Sequence, residues 1–154
     1  MLKIINLFFI LSLSQLINSI ELVDKLNIPP NFVIEILAKD LDSPRQMAET
    51  SSGHIIVGSK KGSEVIALVD ADNDGEFEKQ LVVANNLNNP AGVAYFEQDL
   101  YVAEMDTVWV IKNIDNWLDS NSKVLPDKEI YMNDLPSETW HGLKYIDFGP
   151  DGSL

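Results

Sequence analysis

The chain has 154 residues, 45% of them hydrophobic and 8% aromatic, with a formal net charge of −13 and no cysteine. That length and apolar content suit a folded domain of modest core and argue against a disordered polymer. The negative charge argues against nucleic acid and anionic membrane surfaces as partners, and without cysteine neither disulfides nor thiolate metal sites are available.

In chain order, residues 1–19 read as a secretory signal peptide. Lys3 is the single charge ahead of an apolar run, Ile4 to Leu16, and Ser19 supplies a small residue at a cleavage point. Asn6, Ser12, Ser14 and Gln15 interrupt the run. A membrane span, which needs about 20 mainly apolar residues, fits it less well. The expected location is secreted or periplasmic, with no membrane association beyond the leader. In the segment 20–40, Pro29-Pro30 breaks any helix. Phe32 to Ala38 is then a β-rich run with Phe32, Ile34 and Ile36 on one face. Without a nearby hairpin partner, it is expected to be a closing strand that pairs with a distant part of the parent protein.

From Leu41 the sequence repeats. Leu41-Asp42-Ser43-Pro44 returns 46 residues later as Leu87-Asn88-Asn89-Pro90. Each motif precedes a first strand, Arg45 to Glu49 or Ala91 to Phe96, and then a short turn and a second strand, His54 to Ser59 or Leu100 to Ala103. Third strands are expected at Glu64 to Val69 and Thr107 to Ile111, and fourth strands at Glu76 to Val83 and Glu129 to Asn133. The insertion Lys112 to Lys128 carries a short helical stretch around Ile114 to Leu118. Four short strands at this period are the signature of a β-propeller blade. The expected fold is therefore all-β: a β-propeller fragment of about two blades, 41–86 and 87–134, with the start of a third at 135–154. Blades bury their faces only by stacking on one another, so an incomplete chain of this kind is expected to be inactive alone. A small β-sandwich would explain the strands but not the repeated Leu-x-x-Pro.

The third unit places His141 ahead of an expected strand, Leu143 to Phe148, which the turn Gly149-Pro150-Asp151-Gly152 reverses. Setting this turn against Glu49 to Gly53 gives Asp42, Asn88 and His141 equivalent addresses. In a propeller the first strands line the channel, so those three residues converge on one mouth. Histidine, with an unperturbed pKa of about 6.5, suits proton abstraction near neutrality; the plainer reading is a ring that only bonds loop backbone. His54 has no such address and is expected to be structural. Trp140 either stacks on a sugar ring or packs the blade seam. Asp70-Ala71-Asp72-Asn73-Asp74-Gly75 has the alternating carboxylates of a calcium loop, Asp70, Asp72 and Asp74. Leu81 occupies the twelfth position, where a helix-loop-helix site needs Glu, and a plain hairpin turn explains the same residues. No phosphate-cradling glycine loop, dinucleotide fingerprint or Gly-x-Ser-x-Gly turn is present in the sequence.

Leu41 to Ala48, Ile56-Val57-Gly58-Ser59, Lys61-Gly62, Asn89 to Ala94, Leu100 to Glu104 and His141-Gly142 with Phe148 to Gly152 together resemble the N-terminal part of the glucose/sorbosone dehydrogenase family. That resemblance implies an exported six-bladed quinoprotein using pyrroloquinoline quinone (PQQ) with Ca²⁺, a small sugar or aldehyde substrate and an external electron acceptor. His141, seven residues before Phe148, matches the family's catalytic base, and Trp140, Asn88 and Asp42, by their place at the channel mouth, are expected beside the substrate. Trp140 stands where glucose-oxidising members carry an acidic residue, so the substrate is expected to differ from glucose. The family's quinone and calcium ligands fall in later blades, outside this stretch. The competing expectation is a non-redox propeller, either a calcium-dependent lactone hydrolase-like protein or a binding scaffold.

Overall fold

The structure is a computed structural model that describes residues 25–120 and 122–154. The expected signal peptide lies outside the described residues. The chain divides into two units, residues 1–37 and residues 38–154. In the first, the described residues hold no helix or strand, and Phe32 N donates to Pro29 O at 3.3 Å to close a turn. The expected closing strand Phe32 to Ala38 is therefore not formed: a β-prone run becomes a strand only against a partner, and no described strand pairs with it.

Residues 38–154 build two antiparallel four-stranded sheets. The first comprises β1 (Pro44–Glu49), β2 (Ile55–Ser59), β3 (Val65–Val69) and β4 (Lys79–Ala84), in that spatial order. The second comprises β5 (Gly92–Phe96), β6 (Asp99–Ala103), β7 (Val108–Ile111) and β8 (Glu129–Met132), with a helix α1 (Ile114–Asp119) between its last two strands. Each sheet is a meander whose consecutive strands pair, the order expected of a blade. Strand β4 starts three residues later than the sequence suggests, because Glu76 to Glu78 belong to the acidic loop ahead of it.

The second sheet explains why its strands read as apolar runs. Pleating sends Val93, Leu100, Val102 and Ile111 to one face and Ala94, Tyr101, Ala103, Val108 and Val110 to the other. The first group packs with Ile56, Val65, Ala67, Val69 and Val83 of the first sheet and with Ile114 and Leu118 of α1. The second group lies under Phe96, Ile146, Phe148 and Leu154, so the chain's last segment covers that face. Phe148 stacks on Phe96 with ring centroids 4.3 Å apart and meets the edge of Tyr101 at 4.8 Å.

The two first strands sit side by side, joined by Gln46 N donating to Ala91 O at 3.3 Å and Ser59 N to Pro90 O at 2.9 Å. Leu143 to Phe148 takes the next place but is not a strand. It finds no described backbone ladder, and a side chain fills that role. Gln46 Nε2 donates to Ile146 O at 2.7 Å, while Gln46 Oε1 accepts from Ile146 N at 3.2 Å and Val93 N at 3.3 Å. One carboxamide thereby ties all three units together. The closing turn forms as expected: Gly152 N donates to Gly149 O at 2.9 Å, with Gly152 at φ 77°.

Candidate functional site

The loops entering the first strands are built on left-handed residues. Ser43 has φ 48°, Asn89 φ 52° and His141 φ 59°. Residues with a side chain adopt this conformation only at some cost, and Asn and His are among those that tolerate it best. The conformational repeat therefore pairs His141 with Ser43 and Asn89, one residue later in the first two units than the sequence register that pairs it with Asp42 and Asn88. The third unit has one more residue between this point and its turn than the first, and that extra residue causes the difference.

His141, Trp140 and Asn88 come together, lining a cleft of about 660 Å³ with Arg45, Lys60, Lys61, Met105 and Tyr145. Trp140 is 83% exposed and Tyr145 59%, so both present ring faces to solvent at the rim. The His141 ring meets Trp140 edge-on at 5.3 Å, and its nitrogens make no hydrogen bond among the described residues. Gly142 sets the approach: a Cβ there would collide with Glu138 O and Met105 Cε, so only glycine lets the chain turn directly after the histidine. Lys144 Nζ secures the same loop, donating to Pro136 O at 2.8 Å and Gly142 O at 2.7 Å.

Asp42 lies outside this cleft, in a neighbouring hollow with Asp40, Ser59, Gly62 and Glu64. Its Oδ1 accepts from Ser43 Oγ at 3.0 Å and its carbonyl accepts from Ser59 Oγ at 2.7 Å. These bonds shape the first unit's loop, a structural task. Glu104 is a supporting residue that the sequence did not single out. Buried beside the cleft, it accepts from Asn88 N and from Trp109 Nε1, and so fixes the Asn88 loop. Its only signal was its place at the end of Leu100 to Glu104. His54 is buried, with Nε2 3.7 Å from Asp119 Oδ1, well away from the cleft lining.

Two carboxylate clusters lie elsewhere. Asp70, Asp72, Asp74 and Glu78 bring their carboxylate oxygens within 4.8 Å of one another, a donor set that suits a hard cation. Glu78, the ninth residue of the loop, was not recognised from sequence. The turn also closes on its own atoms, since Asp70 accepts from Asp74 N at 3.2 Å and Gly75 N at 2.9 Å. Desolvation works against the charged Asp70, but backbone N–H groups led by Gly75 outweigh it and hold the carboxyl below its usual range. At the blade seam, Asp115 Oδ2 accepts from Tyr95 Oη at 2.5 Å and Ser51 Oγ at 2.9 Å. Burial raises that carboxyl, and the hydroxyls around it, Tyr95 foremost, bring it below the ordinary value.

No family model matches the chain. An uncharacterised protein of Borreliella burgdorferi is 28% identical over 122 residues, which is 79% of this chain and 30% of that protein. Among solved structures, a Thermus thermophilus protein provisionally described as an oxidoreductase (glucose dehydrogenase) superposes with a TM-score of 0.52 at 16% identity, over 77% of this chain and 38% of its own length. The chain thus spans about a third of each relative. At that identity the likeness speaks for the fold: two blades of a β-propeller and the first segment of a third.

Proposed function

We propose that this chain supplies part of the active-site mouth of an exported sugar or aldehyde dehydrogenase of the glucose/sorbosone dehydrogenase type. The observation that carries the reading is the placement of His141 in an open cleft, beside the exposed ring of Trp140 and the Asn88 amide, at the first-strand loops of three successive units. The propeller fold shared with a protein described as glucose dehydrogenase supports it.

In this reading Trp140 and Tyr145 offer faces for a sugar ring, and Asn88 offers donor and acceptor to its hydroxyls. His141 Nδ1 or Nε2 accepts the proton of the hydroxyl whose carbon is oxidised, and the C–H hydrogen leaves as hydride. When bound, PQQ with Ca²⁺ would supply the hydride-accepting chemistry. The cleft residues do not by themselves hold the calcium, because no carboxylate lines the cleft. The quinone's ligands are therefore expected outside this stretch, and an external acceptor would reoxidise it. A non-redox lactonase-like propeller would need a carboxylate and Asn cage in the channel, and the cleft supplies Asn88 and Asn89 without the carboxylate. The test is dye reduction by the full-length protein loaded with PQQ and Ca²⁺, across neutral and acidic aldoses and aldehydes. Turnover of at least one of them is expected. A loaded protein that reduces no dye with any of them would overturn the reading.

A further inference from the structure

The cleft has a charge opposite to that of the protein. The chain carries 24 Asp and Glu against 11 Lys and Arg, yet Arg45, Lys60 and Lys61 line the His141 cleft and no Asp or Glu does. These three side chains make no hydrogen bond or ion pair among the described residues. Three cations elsewhere are engaged: Lys112 pairs with Asp99 at 2.7 Å, Lys128 lies over Trp109 and bonds Asn85 O, and Lys144 bonds two loop carbonyls. Lys39 and Lys123 are, like the cleft cations, without a side-chain partner among the described residues, but they line neither the cleft nor the neighbouring hollow. Three unneutralised like charges around one concavity repel one another, and an acidic chain has carboxylates to spare for them. All three residues are exposed and line the same cleft, so their combined attraction is available to an anion that enters it.

We propose that the cleft recognises a sugar bearing an anionic oxygen group, a carboxylate or a phosphate, with Arg45, Lys60 and Lys61 holding that group. This rests on reading the cleft as a sugar site and names its substrate class. Arg45 offers a planar fork suited to two oxygens at once, and the two lysines add mobile point charges. The ring then lies against Trp140 and Tyr145, with a hydroxyl presented to His141. A neutral sugar leaves all three cations unpaired and gains only the stacking and hydroxyl contacts.

The test is a titration of the full-length protein with glucose, glucuronate and glucose 6-phosphate, followed by Trp140 fluorescence with Trp140→Phe as the blank. It is run without added quinone and again after loading with PQQ and Ca²⁺. The expected result is that at least one anionic sugar binds about tenfold or more tighter than glucose. Which one binds tighter distinguishes carboxylate from phosphate. That preference should fall as NaCl rises from about 50 to about 200 mM, and it should vanish in Lys60→Gln/Lys61→Gln. Arg45→Gln, a single substitution at an exposed position, gives the same reading should the double variant fail to fold. Equal binding of all three sugars, salt-independent binding, or loss of the anion preference once PQQ is bound would overturn the proposal. Dye reduction is read separately. An anion preference without turnover of any sugar sinks the dehydrogenase reading and leaves this one standing, and turnover without anion preference does the reverse.

Discussion

The two first strands, β1 and β5, occupy the same position in consecutive blades, follow the same Leu-x-x-Pro motif and pair with their neighbours in the same order, yet they are buried very differently. Most of β1 is exposed, and Met47 is 64% accessible, while Gly92, Val93 and Ala94 of β5 are buried. The second blade has the first against one face and the segment Ile146 to Leu154 against the other. The difference shows that burial in this architecture follows the neighbouring unit, and composition follows burial: β1 carries Arg45, Gln46 and Glu49 where β5 carries Val93, Ala94 and Tyr95. Substitutions on covered and uncovered strands should therefore diverge.

The largest divergence is expected in the shared core. Leu100→Ala, at a fully buried position of β6, should cost about 2–5 kcal/mol in denaturant unfolding, while Met47→Ala on β1 should stay within about 0.5 kcal/mol. Comparable losses would mean that β1 is covered in solution. Next comes Gly92→Ala, whose Cβ would meet Lys144 O at 2.5 Å. Overpacking there should cost about 1–3 kcal/mol and push the third segment off β5, read as loss of Phe96–Phe148 contacts by NMR. Gln46→Leu removes the carboxamide that bonds Val93 and Ile146 and should cost about 1–3 kcal/mol. Faster hydrogen exchange at Ile146 than at Val102 would show that the third segment, not the blade core, has loosened.

A smaller effect is pH-dependent. The Asp115 carboxyl is lowered on folding, so its contribution is fully present above the ordinary carboxylate pKa of about 3.9 and is lost as pH falls through the lower folded value. Tyr95→Phe, which removes the principal donor, should destabilise the protein at neutral pH and lose that penalty in acid. A penalty constant with pH would point to packing alone. The smallest effect is expected in the acidic loop. Asp72→Asn relieves like-charge repulsion and should stabilise by about 0.2–0.5 kcal/mol, with or without calcium. If added calcium makes the wild type the more stable of the two, the loop takes the ion.

Much of the fold was legible in the sequence because the blade is a local repeat. The eight strands and the helix fell where alternation, turn residues and the 46-residue offset placed them. What failed was the extended run Leu143 to Phe148, since strand character depends on a partner that a local reading cannot supply; Phe32 to Ala38, whose expected partner lies outside this stretch, forms no strand among the described residues. The cleft was legible in part. His141 and Asn88 share it, as their common address implied, and so does Trp140 next to the histidine. Asp42 does not: its carboxylate accepts from Ser43 Oγ and it lines the neighbouring hollow. Arg45, Lys60 and Lys61 were hidden by an overall charge of the opposite sign.

The most direct measurement of the central claim is kcat for His141→Gln in the full-length protein loaded with PQQ and Ca²⁺, with folding checked by circular dichroism. Loss of the general base should lower kcat by about 10²–10⁴ and leave KM nearly unchanged. A kcat equal to that of the wild type would contradict the assignment of His141.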